Sequence, residues 1–310
     1  KTAKGAFFDN IQNKLHQVGA KLLIGPRGTG KTHHMRLAYI ECKENEKKPL
    51  PIYVSFNHYL RLETYLNESS NAIGVFHAWT LAKIILACMD EYKESSFEDL
   101  YEDVTESSLK AFIQAVEKQQ YSSQHASIVQ QLSVERTKEY IELARKRQKR
   151  KRVILLLDDA ALTLTPEYMV EFFEVFRSIK SAHISPKASV YPGTTQYGPR
   201  FHLGHDAEPV NVWLSVENPK YIEFMSSLTS HRFEREIKVP DEILELFKYA
   251  AFGIPRAYIM MVRDYDKESS TTAQKKFNKV IFDRKQYTTA EYLSISEKLK
   301  QYKGVIELGH

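Results

Sequence analysis

The apolar run Lys21-Leu22-Leu23-Ile24 leads into Gly25-Pro26-Arg27-Gly28-Thr29-Gly30-Lys31-Thr32, and a helix-like stretch, Thr32–Glu44, follows. Strand, glycine-rich loop and helix in that order are the setting in which such a loop holds phosphate. The glycines let the backbone turn tightly, so that successive N–H groups converge on one anion. The positive end of the following helix adds to the same field. Lys31 supplies a point charge for the β- and γ-phosphates of a nucleotide, and the Thr32 hydroxyl is a ligand for Mg2+. Gly25, Pro26, Arg27, Gly28, Thr29, Gly30, Lys31 and Thr32 are the expected nucleotide contacts. A purely structural glycine turn is the plainer alternative.

Arg152-Val153-Ile154-Leu155-Leu156-Leu157-Asp158-Asp159 reads as a buried strand ending in two carboxylates. A continuous apolar strand suits a parallel sheet covered by helices on both faces. In open α/β sheets ligands bind at the carboxyl ends of the strands, where these two acids fall. Asp158 is expected to hold Mg2+, directly or through water. Asp159 is expected to orient or deprotonate an attacking water. An acidic turn with no chemistry is the bland counterpart.

Periodicity orders the rest. Strands are expected at Ala20–Ile24, Pro51–Asn57, Val153–Leu157, Ala188–Tyr191, Val210–Leu214 and Phe233–Val239. Helices are expected at Thr32–Glu44, Val75–Tyr92, Ser108–Gln119, Ser133–Gln148, Pro166–Lys180 and Pro219–Ser227. From Pro240 onward everything reads helical, as Asp241–Phe252, Pro255–Asp264, Ala273–Arg284 and Thr289–Tyr302. Alternating β and α followed by an all-α tail makes an α/β chain: a parallel-sheet core between helices, with a C-terminal helical lid. The division is placed at 1–239 for the core, with a helical insertion at about 60–150, and 240–310 for the lid. A chain of 310 residues, 43% of them hydrophobic, can build such a core with a smaller satellite.

Cys42 and Cys88 match no metal or redox spacing, so a reducing, cytoplasmic setting is expected. The most apolar short window, Leu81–Cys88, carries Lys83 and falls short of the ~20 residues that span a bilayer. No membrane partner and no signal peptide are expected.

With these motifs in order, the chain resembles an AAA+ P-loop ATPase, of the initiator (origin-recognition) branch or the neighbouring signal-transducing STAND branch. The match is carried by residues 25–32, Asp158-Asp159, the Ala188–Thr195 strand and Gly253-Ile254-Pro255-Arg256. The resemblance implies a P-loop NTPase core that binds ATP with Mg2+ and hydrolyses it. It implies a first sensor of the γ-phosphate at Thr194 or Thr195, where a Pro192-Gly193 turn is the alternative reading. It implies a second sensor at Arg256, opening a lid helix, against an ordinary helix junction. Arg232, in Ser230-His231-Arg232-Phe233, matches the arginine finger that reaches a neighbouring subunit's nucleotide, with Arg235 and Arg200 behind it. That finger implies a homo-oligomer or a hetero-complex. Arg256 leans to the initiator branch. Asp159, where many hydrolytic members carry Glu, leans to STAND, in which nucleotide gates assembly with an effector protein. A small-molecule kinase is a third, weaker reading.

Seven of the eight residues Arg145–Arg152 are cationic, a pattern that binds phosphate backbones or decorates a helix end. DNA is therefore one expected partner, although net charge is only +5 and Met89–Glu106 is strongly acidic. His202, His205 and Asp206 lack a second cluster to complete a metal site. His33 and His34 are expected to face solvent or the nucleotide mouth, and Phe7, Phe8 and Ile11 to join the core.

Overall fold

A computed structural model describes residues 5–56, 62, 71–92, 104–160, 165–193, 195–233, 237–298, 304 and 308. Two compact units emerge, Gly5–Trp213 and Leu214–His310.

The first unit is built on a five-stranded parallel sheet. Its strands are β1 (Lys21–Ile24), β2 (Leu50–Ser55), β3 (Val153–Asp158), β4 (Ile184–Val190) and β5 (Glu208–Asn211), in the order β2-β3-β4-β1-β5. Register pairs Leu22 with Ala188, Leu22 with Pro209, and Leu157 with Ala188. Residues alternate between two apolar layers. Val153, Leu155 and Leu157 join one cluster, and Ile154 and Leu156 join the other. That two-sided burial is why β3 reads as an unbroken apolar run.

One face is covered by α1 (Ala6–His16) and α2 (Lys31–Glu44), whose Ile11, Leu15, Met35 and Ala38 are buried. The other face carries α3 (Ala72–Glu91), α4 (Glu106–Glu117), α5 (Ala126–Gln131), α6 (Val134–Arg147) and α7 (Pro166–Ile179). The insertion expected at about 60–150 is thus a layer of the core, with α3 packed on β2, α4, α6 and α7. Local signals fix the helix starts. Thr105 and Ser108 form a reciprocal capping box at α4, and Pro166 opens α7. α3 is 20 residues long with a window hydropathy of 1.7, enough to cross a bilayer by length and composition. The Leu81–Cys88 window caught only its centre. Its composition serves the core, where Trp79, Leu81, Ile84 and Cys88 are fully buried.

The second unit holds α8 (Tyr221–Arg232), α9 (Asp241–Ala250), α10 (Pro255–Lys267) and α11 (Ala273–Lys298). α8 belongs here because the Tyr221 hydroxyl donates to Lys248 O and accepts the Gly253 N–H at 2.9 Å, while Thr229 and Tyr258 hydroxyls meet at 2.6 Å. The contact boundary accordingly falls before α8, rather than at residue 239. The strand expected at 233–239 is not found at Phe233 or residues 237–239, and 234–236 lie outside the described residues. The edge strands of the sheet are β2 and β5. The two tail helices expected at 273–284 and 289–302 begin as one, α11, running to Lys298. No Gly or Pro falls between Ala273 and Lys298 to interrupt it.

Candidate functional site

Residues 25–30 link β1 to α2 at the carboxyl edge of the sheet. Gly28 and Gly30 hold φ of 95° and 93°, left-handed values that glycine adopts without strain. Gly25 has a different constraint: a Cβ there would meet Thr29 Oγ1 and Val212 Cγ2, both at 2.8 Å. Gly30 caps α2 without a side-chain acceptor, so the helix presents its first N–H groups to a ligand. The Thr29 hydroxyl closes the loop on Pro26 O at 2.9 Å. Lys31 is 5% exposed; its ammonium donates to Gly25 O and, at 3.1 Å, to Pro26 O. The same Nζ lies 3.8 Å from the centroid of the Tyr191 ring.

The acids close the strand two places away. Asp158 ends β3 and is 1% exposed. Its Oδ2 accepts the Tyr53 hydroxyl at 2.7 Å, and its Oδ1 accepts Ser189 Oγ at 3.1 Å and the Asp159 N–H at 3.0 Å. Asp159 turns left-handed, φ 55°, and its N–H also reaches Ser189 Oγ at 2.8 Å. The Tyr191 hydroxyl donates to Asp159 Oδ1 at 3.4 Å. Burial, and then the Asp158 charge, push the Asp159 carboxyl above its usual range; Tyr191, Lys31 and Arg27 pull the other way. Burial lifts the Tyr53 and Tyr191 hydroxyls as well, so both act as neutral donors.

This donor set fits the groups the sequence implies. Thr32, exposed in the first turn of α2, and Asp158 offer the hard oxygens that Mg2+ takes. A carboxylate has about four lone-pair sites, and three donors leave Asp158 one, which suits an outer-sphere water. Among the described residues no group of three His, Cys, Asp or Glu forms a metal cage. Mg2+ held by one or two protein oxygens, phosphate and water does not require one.

Thr194 is outside the described residues, and Thr195 turns back on Tyr191, accepting its N–H at 3.1 Å and donating to its carbonyl at 2.8 Å. Arg256 is exposed at the second position of α10, after Gly253 (φ 74°) and Pro255 at the helix start. Arg232 is exposed at the end of α8, after β5 rather than before the last core strand. Arg200 is exposed in a turn, and Arg235 lies outside the described residues. His34 is buried rather than facing solvent. Gln12 bonds its Nδ1 at 2.9 Å, Phe8 stacks on it with centroids 4.4 Å apart, and burial lowers its pKa to about 3. Asp206 closes a turn on the His202 N–H at 2.7 Å. Sequence reasoning missed Tyr53, Ser189 and Tyr191. Position was the available signal, since Tyr53 lies two residues before Ser55, the partner of Asp158, Ser189 follows Ala188, the partner of Leu157, and Tyr191 follows β4.

The fold is similar to that of two solved proteins. It is shared with the Walker-type ATPase of Pyrococcus abyssi, at 12% identity and a TM-score of 0.50, over 96% of this chain and 76% of that one. The ORC1 protein of Aeropyrum pernix, solved in complex with DNA, aligns at 12% identity and a TM-score of 0.50, over 95% of this chain and 68% of that one. No protein-family model matches the chain, and no curated protein matches it.

Proposed function

We propose that the chain binds Mg-ATP on the 25–32 loop and hydrolyses it, as a switch or motor subunit associated with DNA. One observation carries this reading: β4 separates the strand feeding the phosphate loop from the strand ending in Asp158. The loop and the acid pair therefore share one sheet edge with a gap between them. Loop N–H groups and Lys31 bind the phosphates. Asp158, oriented by Tyr53, Ser189 and the Asp159 N–H, would hold Mg2+, which would supply charge neutralisation for the phosphates. Asp159, with its pKa raised by burial, takes the proton of the attacking water.

The DNA association is supported by exposed Lys146, Arg147, Lys149 and Lys151 on the basic run, and by the DNA complex of the structural neighbour. Arg150 is not part of that surface, because it is spent on the carbonyls of Cys42, Asn45 and Lys48. A second reading, a STAND-type NTPase that gates assembly with a protein partner, is favoured by the short second acid already held by Tyr191. Titration calorimetry with Mg-ATP on the parent, Lys31→Ala and Asp159→Ala decides the nucleotide claim. Heat in the parent and in Asp159→Ala but not in Lys31→Ala is expected; no heat in the parent refutes it. ATPase assays across a salt series, with and without DNA, decide the partner. DNA stimulation that fades steeply with salt supports the first reading. Tightly retained nucleotide with negligible turnover supports the second.

A further inference from the structure

Resting on that nucleotide-site reading, we propose that Tyr191 is a positioning residue that ties the phosphate-loop lysine to the water-activating acid. Its ring seats the Lys31 ammonium, and its hydroxyl steers the Asp159 carboxylate.

Three observations place it there. The strand order puts β4 between β1 and β3, so the residue after Val190 emerges between the phosphate loop and the acid pair. The backbone of Tyr191 is clamped, because Thr195 Oγ1 accepts its N–H at 3.1 Å and donates to its carbonyl at 2.8 Å. This gives Thr195, one of the two threonines expected as first sensor, a concrete task, which is to hold the tyrosine. Finally, one side chain touches both partners by separable means. The ring face lies 3.8 Å from Lys31 Nζ, a cation–π distance, and the hydroxyl is 3.4 Å from Asp159 Oδ1.

The chemistry follows from those two contacts. The Lys31 ammonium contacts the Gly25 and Pro26 carbonyls and the Tyr191 ring. A triphosphate arriving on the loop competes for that ammonium, and the ring keeps it in reach as it turns. The hydroxyl, 3.4 Å from Oδ1, holds the Asp159 carboxylate in one orientation. Tyr191 thus contacts the lysine and the acid from a single clamped backbone position.

Two variants separate the contacts. Tyr191→Phe keeps the ring and loses the hydroxyl; Tyr191→Leu keeps bulk and loses both. Calorimetry with Mg-ATP reads the ring contact and single-turnover hydrolysis reads the hydroxyl contact, so binding and rate are scored apart. Tyr191→Phe is expected to leave the Lys31 contact in place, because the ring that seats the ammonium is kept. It is also expected to slow single-turnover hydrolysis roughly tenfold, about the effect of one hydrogen bond. Its Mg-ATP Kd is expected to stay within about twofold of the parent. Tyr191→Leu, with a parent-like melting curve, is expected to weaken the Mg-ATP Kd roughly tenfold as well, as befits a lost cation–π contact. Single-turnover hydrolysis at the parent rate in Tyr191→Phe overturns the proposal, as does a folded Tyr191→Leu that binds like the parent. If the parent gives no heat with Mg-ATP, the nucleotide reading itself falls. If the parent binds and Lys31→Ala does not, only Tyr191 is at issue.

Discussion

The Ser189 hydroxyl donates to Asp158 Oδ1 at 3.1 Å while accepting the Asp159 N–H at 2.8 Å. One β4 side chain therefore organises both acids of β3. Ser189 is fully buried, so its removal leaves a buried carboxylate short of a donor and leaves the Asp159 amide only its bond to Asp158 Oδ1. Ser189→Ala is expected to cost about 1–3 kcal/mol in denaturant unfolding. It should also slow ATP hydrolysis by more than it weakens Mg-ATP binding, because the loop and Lys31 are untouched. Equal losses in both would argue that Ser189 supports the fold alone.

Gly25 tests the loop from the packing side. A methyl group at 25 collides with Thr29 Oγ1 and Val212 Cγ2, both at 2.8 Å. Thr29 can rotate only by giving up its bond to Pro26 O. Gly25→Ala is expected to cost about 1–3 kcal/mol, the range for overpacking, and to weaken Mg-ATP binding by displacing the loop. Calorimetry and thermal melting on the same sample check both. Unchanged affinity would mean that the loop geometry is not what holds the ligand.

Much of this was legible in the chain itself, for a physical reason. The glycine loop, the strand before it and the acid-tipped strand are local patterns, and each recurs in the structure where its periodicity placed it. Ser189, Tyr191 and Tyr53 were not legible, because their meaning comes from register between strands far apart in sequence. Tyr53 reaches Asp158 only because β2 pairs with β3. The solvent-facing expectation for His34 failed similarly. Its burial against Phe8 and Gln12 depends on how α1 lies across α2. α8 was mistaken for part of the core because Tyr221, Lys248 and Gly253 meet only after the chain folds back.

Within the basic run, Arg150 has a structural role. Arg150 Nη1 donates to Cys42 O at 3.3 Å, and to Asn45 O and Lys48 O at 2.8 Å each, capping the end of α2. Arg150→Ala is expected to destabilise by about 1–3 kcal/mol. Lys149→Ala and Lys151→Ala, on exposed side chains, should stay within about 0.5 kcal/mol. If the run contacts a phosphate backbone, each of these two lysine variants lowers the salt slope of DNA binding by about one. A combined variant that melts normally and keeps the full slope would show that DNA, if bound, lies elsewhere.

Lys187 gives the clearest pH dependence. It lies wholly buried in β4, its Nζ donating to Gln17 O at 2.7 Å and Gly19 O at 2.5 Å. Burial first, and then the Lys21 and Arg152 charges, lower its pKa to about 6, with Glu208 opposing. The folded protein therefore releases this proton near pH 6, while the unfolded chain keeps it until about 10.5. Between those values the unfolded state holds the extra proton, so stability rises with pH, and below about 6 the full cost of a buried charge is felt. The slope contributed is at most about 1.4 kcal/mol per pH unit. Lys187→Met removes the titration. Denaturant unfolding at several pH values from 6 to 9 is expected to show the parent gaining stability on the variant throughout. Parallel curves for the two proteins would mean that Lys187 stays charged inside the fold, with its two carbonyl partners and Glu208 carrying that charge.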